Sequence, residues 1–377
     1  MKGGEGTLSL VKGVLGFIKK NAVMFIALLA AAVTAFIVPP DREYLGYFDF
    51  RTLTCLFCVL AIVGALRNIR FFYILAQRIV RLFRNTRLCT LALVYITFIG
   101  SMLIANDMAL LTFLPLGYFV LSVTHKEKRM AFTFVMQNIA ANLGGMLTPF
   151  GNPQNLYLYS KFDIPTLEFM KIMAPPFALA VGLITVCCLF VPAEPMTVPD
   201  DPVKLDPKRT WVYLAAFALS IAIVFRGVPY WIGLIVIPIV LLIFDRRALL
   251  EVDYPLLFTF VFFFIFAGNM SRIPAVSELF SGLLKKNTLV FSVLSCQVIS
   301  NVPSAILLSQ FTRDYPHLLV GVNIGGTGTL IASLASLITF REYCYHNPTK
   351  KLYYFGVFSA FNFGFLAVMT VFMLLIG

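Results

Sequence analysis

The chain has 377 residues, of which 59% are hydrophobic and 13% are charged. Soluble domains carry about 25% charged residues, and a mean hydropathy of +0.87 leaves too little polar surface for solvation in water. Long apolar runs recur along the whole chain, and a helix needs about 20 such residues to cross the hydrocarbon core of a bilayer. These features exclude a soluble protein and predict an all-α polytopic membrane protein.

The formal net charge is +12, which in a soluble protein would indicate a nucleic-acid partner. In a membrane protein the same excess is explained by Lys and Arg in cytoplasmic loops, so we expect the lipid bilayer and no nucleic acid as a partner. Cys55 and Cys58 form a C-x-x-C motif without a second pair or a nearby histidine. We expect packing rather than metal or redox chemistry there, and no cofactor.

Apolar runs predict six helical segments in the first half of the chain. They are residues 21–38, 51–66, 88–104, 107–122, 131–160 and 175–191. The first is expected to remain as a helix rather than to be a signal peptide, because Pro39, Pro40 and Asp41 follow it in place of a cleavage site. Residues 67–87 carry apolar residues at helical spacing opposite a row of arginines, which is typical of a helix lying in the membrane interface.

A Pro- and Asp-rich linker, residues 192–210, separates the two halves. The second half has the same order of segments as the first, including an amphipathic stretch at 271–286. Its apolar segments are residues 211–225, 229–244, 255–270, 287–300, 304–311, 317–340 and 351–376.

A residue match supports an internal repeat. The motif Asn142-Leu-Gly-Gly-Met-Leu-Thr148 recurs as Asn323-Ile-Gly-Gly-Thr-Gly-Thr329, an offset of 181 residues, and Asn106 matches Asn301 at an offset of 195. We predict two repeats with a linker and a connecting helix between them. The predicted bounds are 1–192 for the first repeat (hairpin 88–122, broken helix 131–160), 193–228 for the connection, and 229–377 for the second repeat (hairpin 287–315, broken helix 317–340).

The charge distribution predicts the topology. If each paired segment is a re-entrant hairpin, most of the 30 Lys and Arg residues fall on the side of the N-terminus, as the positive-inside rule requires. The N-terminus is then cytoplasmic, the C-terminus is outside, and the second repeat is inverted relative to the first. Inverted repeats with broken helices are typical of secondary carriers, and we expect this one in a bacterial inner membrane.

Polar interruptions at mid-membrane predict the binding site, because non-helical backbone is tolerated there only against protein or a water-filled cavity. The interruptions are residues 148–155 and the glycines of residues 325–328. The predicted substrate-binding residues are Asn106, Thr148, Asn152, Asn155, Asn301, Thr329 and Ser333. The predicted coupling-ion residues are Asp107, Asn106, Gly151, Asn301 and Gly328.

Asp107 is the only carboxylate that we place within the membrane. Burying an acid there costs roughly 3 kcal/mol or more, so an intramembrane acid indicates function. Three roles remain open for it: a proton carrier, a Na⁺ ligand, or an N-cap of the helix that follows. A Na⁺ ion at Asp107 is the only metal that the sequence favours.

These motifs resemble those of the ion transporter superfamily of citrate carriers, divalent anion/sodium symporters and arsenite permeases. Ala105-Asn106-Asp107 and Ser300-Asn301-Val302-Pro303 look like its two hairpin tips, and Thr148-Pro-Phe-Gly-Asn-Pro-Gln-Asn155 resembles its unwound loop. The resemblance implies an elevator-type transporter, usually dimeric, with a scaffold of helices 21–38, 51–66, 229–244 and 255–270. The tips depart from the Ser-Asn-Thr of the dicarboxylate branch, which favours a proton or a single Na⁺ at Asp107.

The sequence therefore predicts a cation- or proton-coupled carrier of a small anion, with a citrate- or dicarboxylate-type substrate favoured. An arsenite or oxyanion efflux permease and a Na⁺/H⁺ antiporter are the alternatives. A channel would need a symmetric oligomeric pore. An intramembrane enzyme would need a nucleophile and a base, and one buried Asp without a membrane histidine does not provide them.

Overall fold

The computed structural model describes residues 21–197 and 205–376. Over these residues the regular structure is helical, with 18 α-helices, three short 3₁₀ segments and no strand. Six helical stretches are long and apolar enough to cross a membrane, so the expected all-α polytopic membrane protein is confirmed. The lysines of residues 1–20 and the predicted linker residues 198–204 lie outside the described residues.

Helices of the first half follow the predicted apolar segments closely. Their bounds are α1 Ala22–Ile37, α2 Phe50–Asn68, α3 Phe71–Val80, α4 Thr86–Ile104, α5 Asn106–Val123, α6 Met130–Gly144, α7 Pro153–Lys161 and α8 Thr166–Leu189. Helix α8 begins at Thr166, earlier than the predicted start at residue 175, and carries Pro175 and Pro176 inside it. Prolines are tolerated inside membrane helices because neighbouring groups satisfy the freed carbonyls, so here the two prolines do not mark a helix start.

Helices of the second half also match their predicted segments. Their bounds are α9 Pro207–Val224, α10 Tyr230–Phe244, α11 Arg246–Leu250, α12 Tyr254–Ser271, α13 Pro274–Lys286, α14 Thr288–Ile299, α15 Asn301–Leu308, α16 Tyr315–Ile324, α17 Leu334–His346 and α18 Lys351–Ile376. The predicted Gly-broken span is two helices, α16 and α17, separated by residues 325–333. The start of α15 at Asn301 places that residue in the first turn of a helix.

The two ends of the α4–α5 pair meet at Glu194. The backbone N–H of Thr86, at the start of α4, donates to the Glu194 carbonyl oxygen at 2.9 Å. Lys126 and Arg129, which follow α5, lie 2.5 and 3.3 Å from the Glu194 carboxylate. The pair is therefore a helical hairpin whose tip is Ala105 and whose ends lie together.

Two further contacts join predicted cytoplasmic segments to each other. Asn68 lies 3.4 Å from the Asp245 carboxylate, and the ring of Tyr118 stacks on that of His346 with centroids 3.5 Å apart. At the opposite end, Arg272 pairs with Asp41 at 2.7 Å. Each of these contacts thus joins two segments that the sequence assigns to the same side of the membrane.

The helices pack as two groups. The first group consists of α1, α2, α9, α10 and α12, which contact one another. In the second group, α4, α5 and α6 pack with α17 and α18, and α14, α15 and α16 pack together. Crossed contacts join the halves, since α15 packs on α7 and α17 packs on α5. The polar interruptions therefore lie at the centre of the second group, beside α2 and α12.

Candidate functional site

Each hairpin turns at a single residue with a left-handed backbone. Ala105 has φ 68° between α4 and α5, and Ser300 has φ 75° between α14 and α15. A positive φ is strained for a residue with a Cβ and persists only where the surroundings impose it. The next residue is an asparagine in both tips, and its Oδ1 accepts the following backbone N–H: Asp107 N–H to Asn106 at 3.0 Å and Val302 N–H to Asn301 at 2.9 Å.

The two tips meet at Asn142. The Asn106 amide donates to the Asn142 Oδ1 at 3.2 Å. The Asn301 Nδ2 and the same Asn142 oxygen lie 3.1 and 3.5 Å from the position that a Cβ would occupy on Gly326. All three asparagines are buried. Asn106 and Asn301, which match at an offset of 195 residues, therefore both lie near Asn142.

Asn155 stabilises the first interruption. Its Nδ2 donates to the carbonyl oxygens of Gly145, Met146 and Thr148 at 3.1, 3.2 and 3.2 Å. Carbonyls freed where α6 ends would otherwise be unpaired in an apolar medium. The Thr148 hydroxyl donates to the Met102 carbonyl oxygen at 2.8 Å and fastens the interruption to the first hairpin.

Gln297 does the same for the second interruption. Its Nε2 donates to the carbonyl oxygens of Gly325 and Thr327 at 2.9 and 3.1 Å, and its Oε1 accepts the Thr329 N–H at 2.9 Å. Gly328 has φ 109°, and a Cβ there would lie 2.2 Å from the Gln297 Oε1. Only glycine fits at that position.

Asn323 accepts the side-chain amides of Asn152 and Gln154, whose own side-chain oxygens have no donor among the described residues. Its Nδ2 donates to the Leu319 carbonyl oxygen at 2.8 Å, which orients its Oδ1 as an acceptor. That oxygen receives the amides of Asn152 and Gln154 at 3.0 and 3.3 Å. The side-chain Oδ1 of Asn152 and Oε1 of Gln154 then receive no hydrogen bond from the described residues. Buried acceptors without a donor are costly and indicate a missing partner.

Asp107 has a third such oxygen. Its Oδ1 is buried and receives no hydrogen bond from the part of the chain that the structure describes. The residue lies in the first turn of α5, but no N-cap hydrogen bond to its side chain accompanies that helix start. Asn106 accepts the Asp107 N–H, and the role of Asp107 as a proton carrier, a Na⁺ ligand or a cap stays a prediction.

The other predicted residues fall into three groups. Asn106, Asn152, Asn155 and Asn301 are buried together around Asn142 and Asn323. Thr148, Thr329 and Gly328 lie where an interruption contacts its hairpin. Ser333 is the N-cap of α17 and accepts the Ser336 N–H at 3.2 Å, and Gly151 packs against the Gly145 carbonyl oxygen.

Asn142, Asn323, Gln154 and Gln297 are central residues that the site prediction omits. Asn142 and Asn323 are the first residues of the repeated motif, so the repeat itself was the signal that could have included them. Gln297 stands alone in an apolar helix, where its partners are known only from the fold. No group of three or more His, Cys, Asp or Glu able to hold a metal occurs among the described residues.

Comparison with known proteins agrees with this architecture. A family model described as citrate transporter matches residues 14–314. An uncharacterized transporter of Methanocaldococcus jannaschii is 31% identical over 323 residues, which cover 85% of this chain and 88% of that relative. The inner membrane protein YbiR of Escherichia coli is 28% identical over 318 residues, covering 81% of this chain and 84% of that relative. The chain therefore belongs to the citrate transporter family, whose members are membrane transporters.

Proposed function

We propose that this protein is a secondary active transporter that moves a small anion, favoured to be a citrate- or dicarboxylate-type organic acid, in exchange with or together with H⁺ or Na⁺. One observation carries the proposal. Two asparagine tips, Asn106 and Asn301, meet within a buried polar centre that contains no Lys or Arg. Family membership provides the substrate class that the geometry alone leaves open.

Helix N-termini supply the attraction for an anion. Helices α5 and α15 begin at Asn106 and Asn301, and α7 and α17 begin directly after Asn152 and Ser333. A helix N-terminus carries roughly half a positive charge and presents unpaired N–H groups. The Asn301 Nδ2 donates no hydrogen bond within the described residues, so it remains available to a carboxylate.

Oxygens without donors supply the attraction for the coupling cation. Three buried acceptors have no partner among the described residues: the side-chain amide oxygens of Asn152 and Gln154 and the Oδ1 of Asp107. Amide and carboxylate oxygens are suitable ligands for Na⁺, and Asp107 alone suits H⁺. Because the second tip has Val302 where the first has Asp107, the cation belongs to the first half of the chain, whereas both halves contribute to the anion site.

We further propose that the two halves are repeats of opposite orientation, with bounds 1–192 and 229–377. In this proposal, helices α4–α8 and α14–α18 form a transport body that moves against a scaffold of α1, α2, α10 and α12. Matched hydrogen bonds in the two halves and the packing of the helices as two groups support this arrangement. Helices α14 and α15 have 12 and 8 residues, too few to cross a bilayer that needs about 20, which favours a re-entrant hairpin.

Location, orientation and assembly complete the proposal. We propose a cytoplasmic N-terminus and an outside C-terminus, which the positive-inside rule favours because Lys and Arg are concentrated in the loops assigned to the cytoplasm. A bacterial inner membrane is supported by the E. coli relative, an inner membrane protein. A homodimer follows only from the resemblance. An arsenite or oxyanion exporter is the rival, favoured by the Ala105-Asn106-Asp107 tip.

Uptake into proteoliposomes tests the transport function. The purified protein is reconstituted, and labelled citrate, succinate, malate, phosphate and arsenite are supplied under imposed pH and Na⁺ gradients. We expect saturable uptake of a tricarboxylate or dicarboxylate that one gradient accelerates. Uptake of arsenite alone would establish the rival, and a gradient-insensitive flux of every anion would refute the coupled carrier.

A further inference from the structure

A small cavity separates the first hairpin tip from the α2 and α12 helices. Its volume is about 50 Å³. A water molecule needs about 10–15 Å³ of such a cavity, so the cavity has room for a few water-sized groups. Its walls are formed mainly by apolar residues of α2, α5, α12 and α17, together with residues next to the first interruption. Two carboxylates, Asp107 and Asp253, line it.

The two carboxylates belong to different groups of helices. Asp107 lies on α5, which packs against α6 and α17. Asp253 precedes α12, which packs against α1. Any movement of one helical group against the other therefore changes the distance between these two side chains.

Asp253 has one carboxylate oxygen that accepts no hydrogen bond among the described residues. Its Oδ1 accepts the Leu256 N–H at 3.0 Å and caps α12, and its other oxygen receives no hydrogen bond among the described residues. Asp107 likewise directs a buried, unpartnered Oδ1 into this apolar surrounding. Two basic residues lie nearby: Arg67 contacts the Met108 sulfur at 3.7 Å, and Arg247 pairs with Glu251 at 2.7 Å.

The cavity lies at the basic end of the helices. Arg67 is in the last turn of α2 and contacts Met108, one residue after Asp107. Asp253 follows the segment that contacts Asn68 through Asp245. The tip of the hairpin is thus level with the basic end of α2 in this conformation, next to the side that we assign to the cytoplasm.

We propose that Asp253 is a cation-binding residue that receives the coupling cation from Asp107 when the hairpin tip is at the cytoplasmic end. This inference rests on the proposed transport function and adds the residue that releases the cation. Two carboxylates facing one apolar cavity repel each other, and one monovalent cation between them removes that cost. For a proton, the O–H bond at Asp107 breaks with its electron pair left on Asp107, and a new O–H bond forms at Asp253.

The test compares two modes of transport in proteoliposomes. Net uptake driven by a pH or Na⁺ gradient requires the cation to leave at each cycle, whereas exchange of labelled for unlabelled citrate, at equal concentrations on both sides, does not. The substitution Asp253→Asn keeps the helix cap, since Asn caps as well as Asp, and removes the charge. The matched control is Asp245→Asn, because Asp245 caps α11 in the same way through the Ala248 N–H but does not line the cavity.

We expect Asp253→Asn to lower net uptake by about tenfold or more while exchange stays within about twofold of the wild type. Asp245→Asn should change neither rate. Equal losses of net uptake and exchange, or unchanged net uptake, would overturn the role of Asp253. The pH and Na⁺ arms identify the cation. If the wild-type protein showed neither mode with any anion, the proposed function would fail first, and the role of Asp253 with it.

Discussion

Thr148 donates a hydrogen bond from its hydroxyl to the carbonyl oxygen of Met102 at 2.8 Å. In the second half, Thr329 donates the same bond to the carbonyl oxygen of Gln297 at 3.1 Å. The two threonines are 181 residues apart and their partners 195, the offsets of the sequence motifs. Each interruption is therefore fastened to the hairpin of its own half at an equivalent position, which supports the proposed duplication.

Gly145 allows the first interruption to close on itself. A Cβ there would lie 2.4 Å from the Asn152 Oδ1 and 2.6 Å from the Gly151 carbonyl oxygen. We expect Gly145→Ala to destabilise the protein by about 1–3 kcal/mol through overpacking and to abolish transport, as measured by thermal unfolding in detergent and by proteoliposome uptake.

Gly182→Ala is the control for this substitution. Gly182 lies inside α8 with nothing within 4 Å of the added Cβ, so alanine there should stabilise the helix by up to about 1 kcal/mol. A Gly145→Ala protein with wild-type unfolding temperature and uptake would show that the interruption does not need this close approach.

Asn301 presents an amide to the proposed anion site. Asn301→Asp keeps the oxygen that accepts the Val302 N–H but replaces the amide donor with a negative charge. We expect KM for the anion to rise by about tenfold or more, because a buried donor is lost and a like charge is added. Initial uptake rates over a range of anion concentrations measure it.

Asn287→Asp makes the same change at a second cap. The Asn287 Oδ1 accepts the Val290 N–H at 2.9 Å at the opposite end of α14, and KM should stay unchanged in that variant. An equal rise in KM for both variants would mean that the effect comes from helix capping and not from the anion site.

Cysteine labelling tests the hairpin topology. In a background without the native cysteines, Lys128→Cys and Tyr345→Cys should react with a membrane-impermeant maleimide from one side of the membrane. Asp163→Cys and Leu45→Cys, at the other end of the molecule, should react only from the other side. Labelling of residues 128 and 345 from opposite sides would contradict the proposed topology.

Glu194 makes the stability of the basic end depend on pH. Hydrogen bonds from Lys126 and Arg129 hold the pKa of the Glu194 carboxyl below its usual value. The charged form is favoured in the folded state, so this contribution is complete above the usual carboxyl pKa of about 4.3 and is lost as pH falls through the lowered pKa. Because the pair is exposed, the effect is small.

Unfolding temperatures between pH 7 and pH 3 measure this contribution. The wild type should lose more stability on acidification than Glu194→Gln, which keeps the side-chain volume and has no charge to lose. Identical pH profiles for the two proteins would show that the contacts of Glu194 with Lys126 and Arg129 do not stabilise the fold.

Local sequence signals predicted most of the helices and both tips. Asn106 and Asn301 stand out because each interrupts an apolar run, and a polar residue in hydrocarbon is costly unless it has a partner or a function. The start of α8 was not predictable in this way, because Pro175 and Pro176 are usual at a helix start in soluble proteins and lie inside a helix here.

The partners of the polar residues could not be predicted from the sequence. Gln297 satisfies the backbone of residues 325–329, about 30 positions later, and Asn323 contacts Asn152 across the two halves of the chain. Asp253 reads as an ordinary helix cap, and only the packing of α12 beside the first hairpin places it in a cavity with Asp107. Such long-range contacts depend on the tertiary arrangement and leave no local pattern.

Uphill accumulation by the wild type and by Asp107→Asn measures whether Asp107 carries the coupling cation. Proteoliposomes receive equal labelled citrate on both sides and then a pH or Na⁺ gradient. We expect the wild type to concentrate the anion under one of the gradients and Asp107→Asn to fail to do so, while Asp245→Asn behaves as the wild type. Full gradient-driven accumulation by Asp107→Asn would contradict the assignment of the coupling cation to this carboxylate.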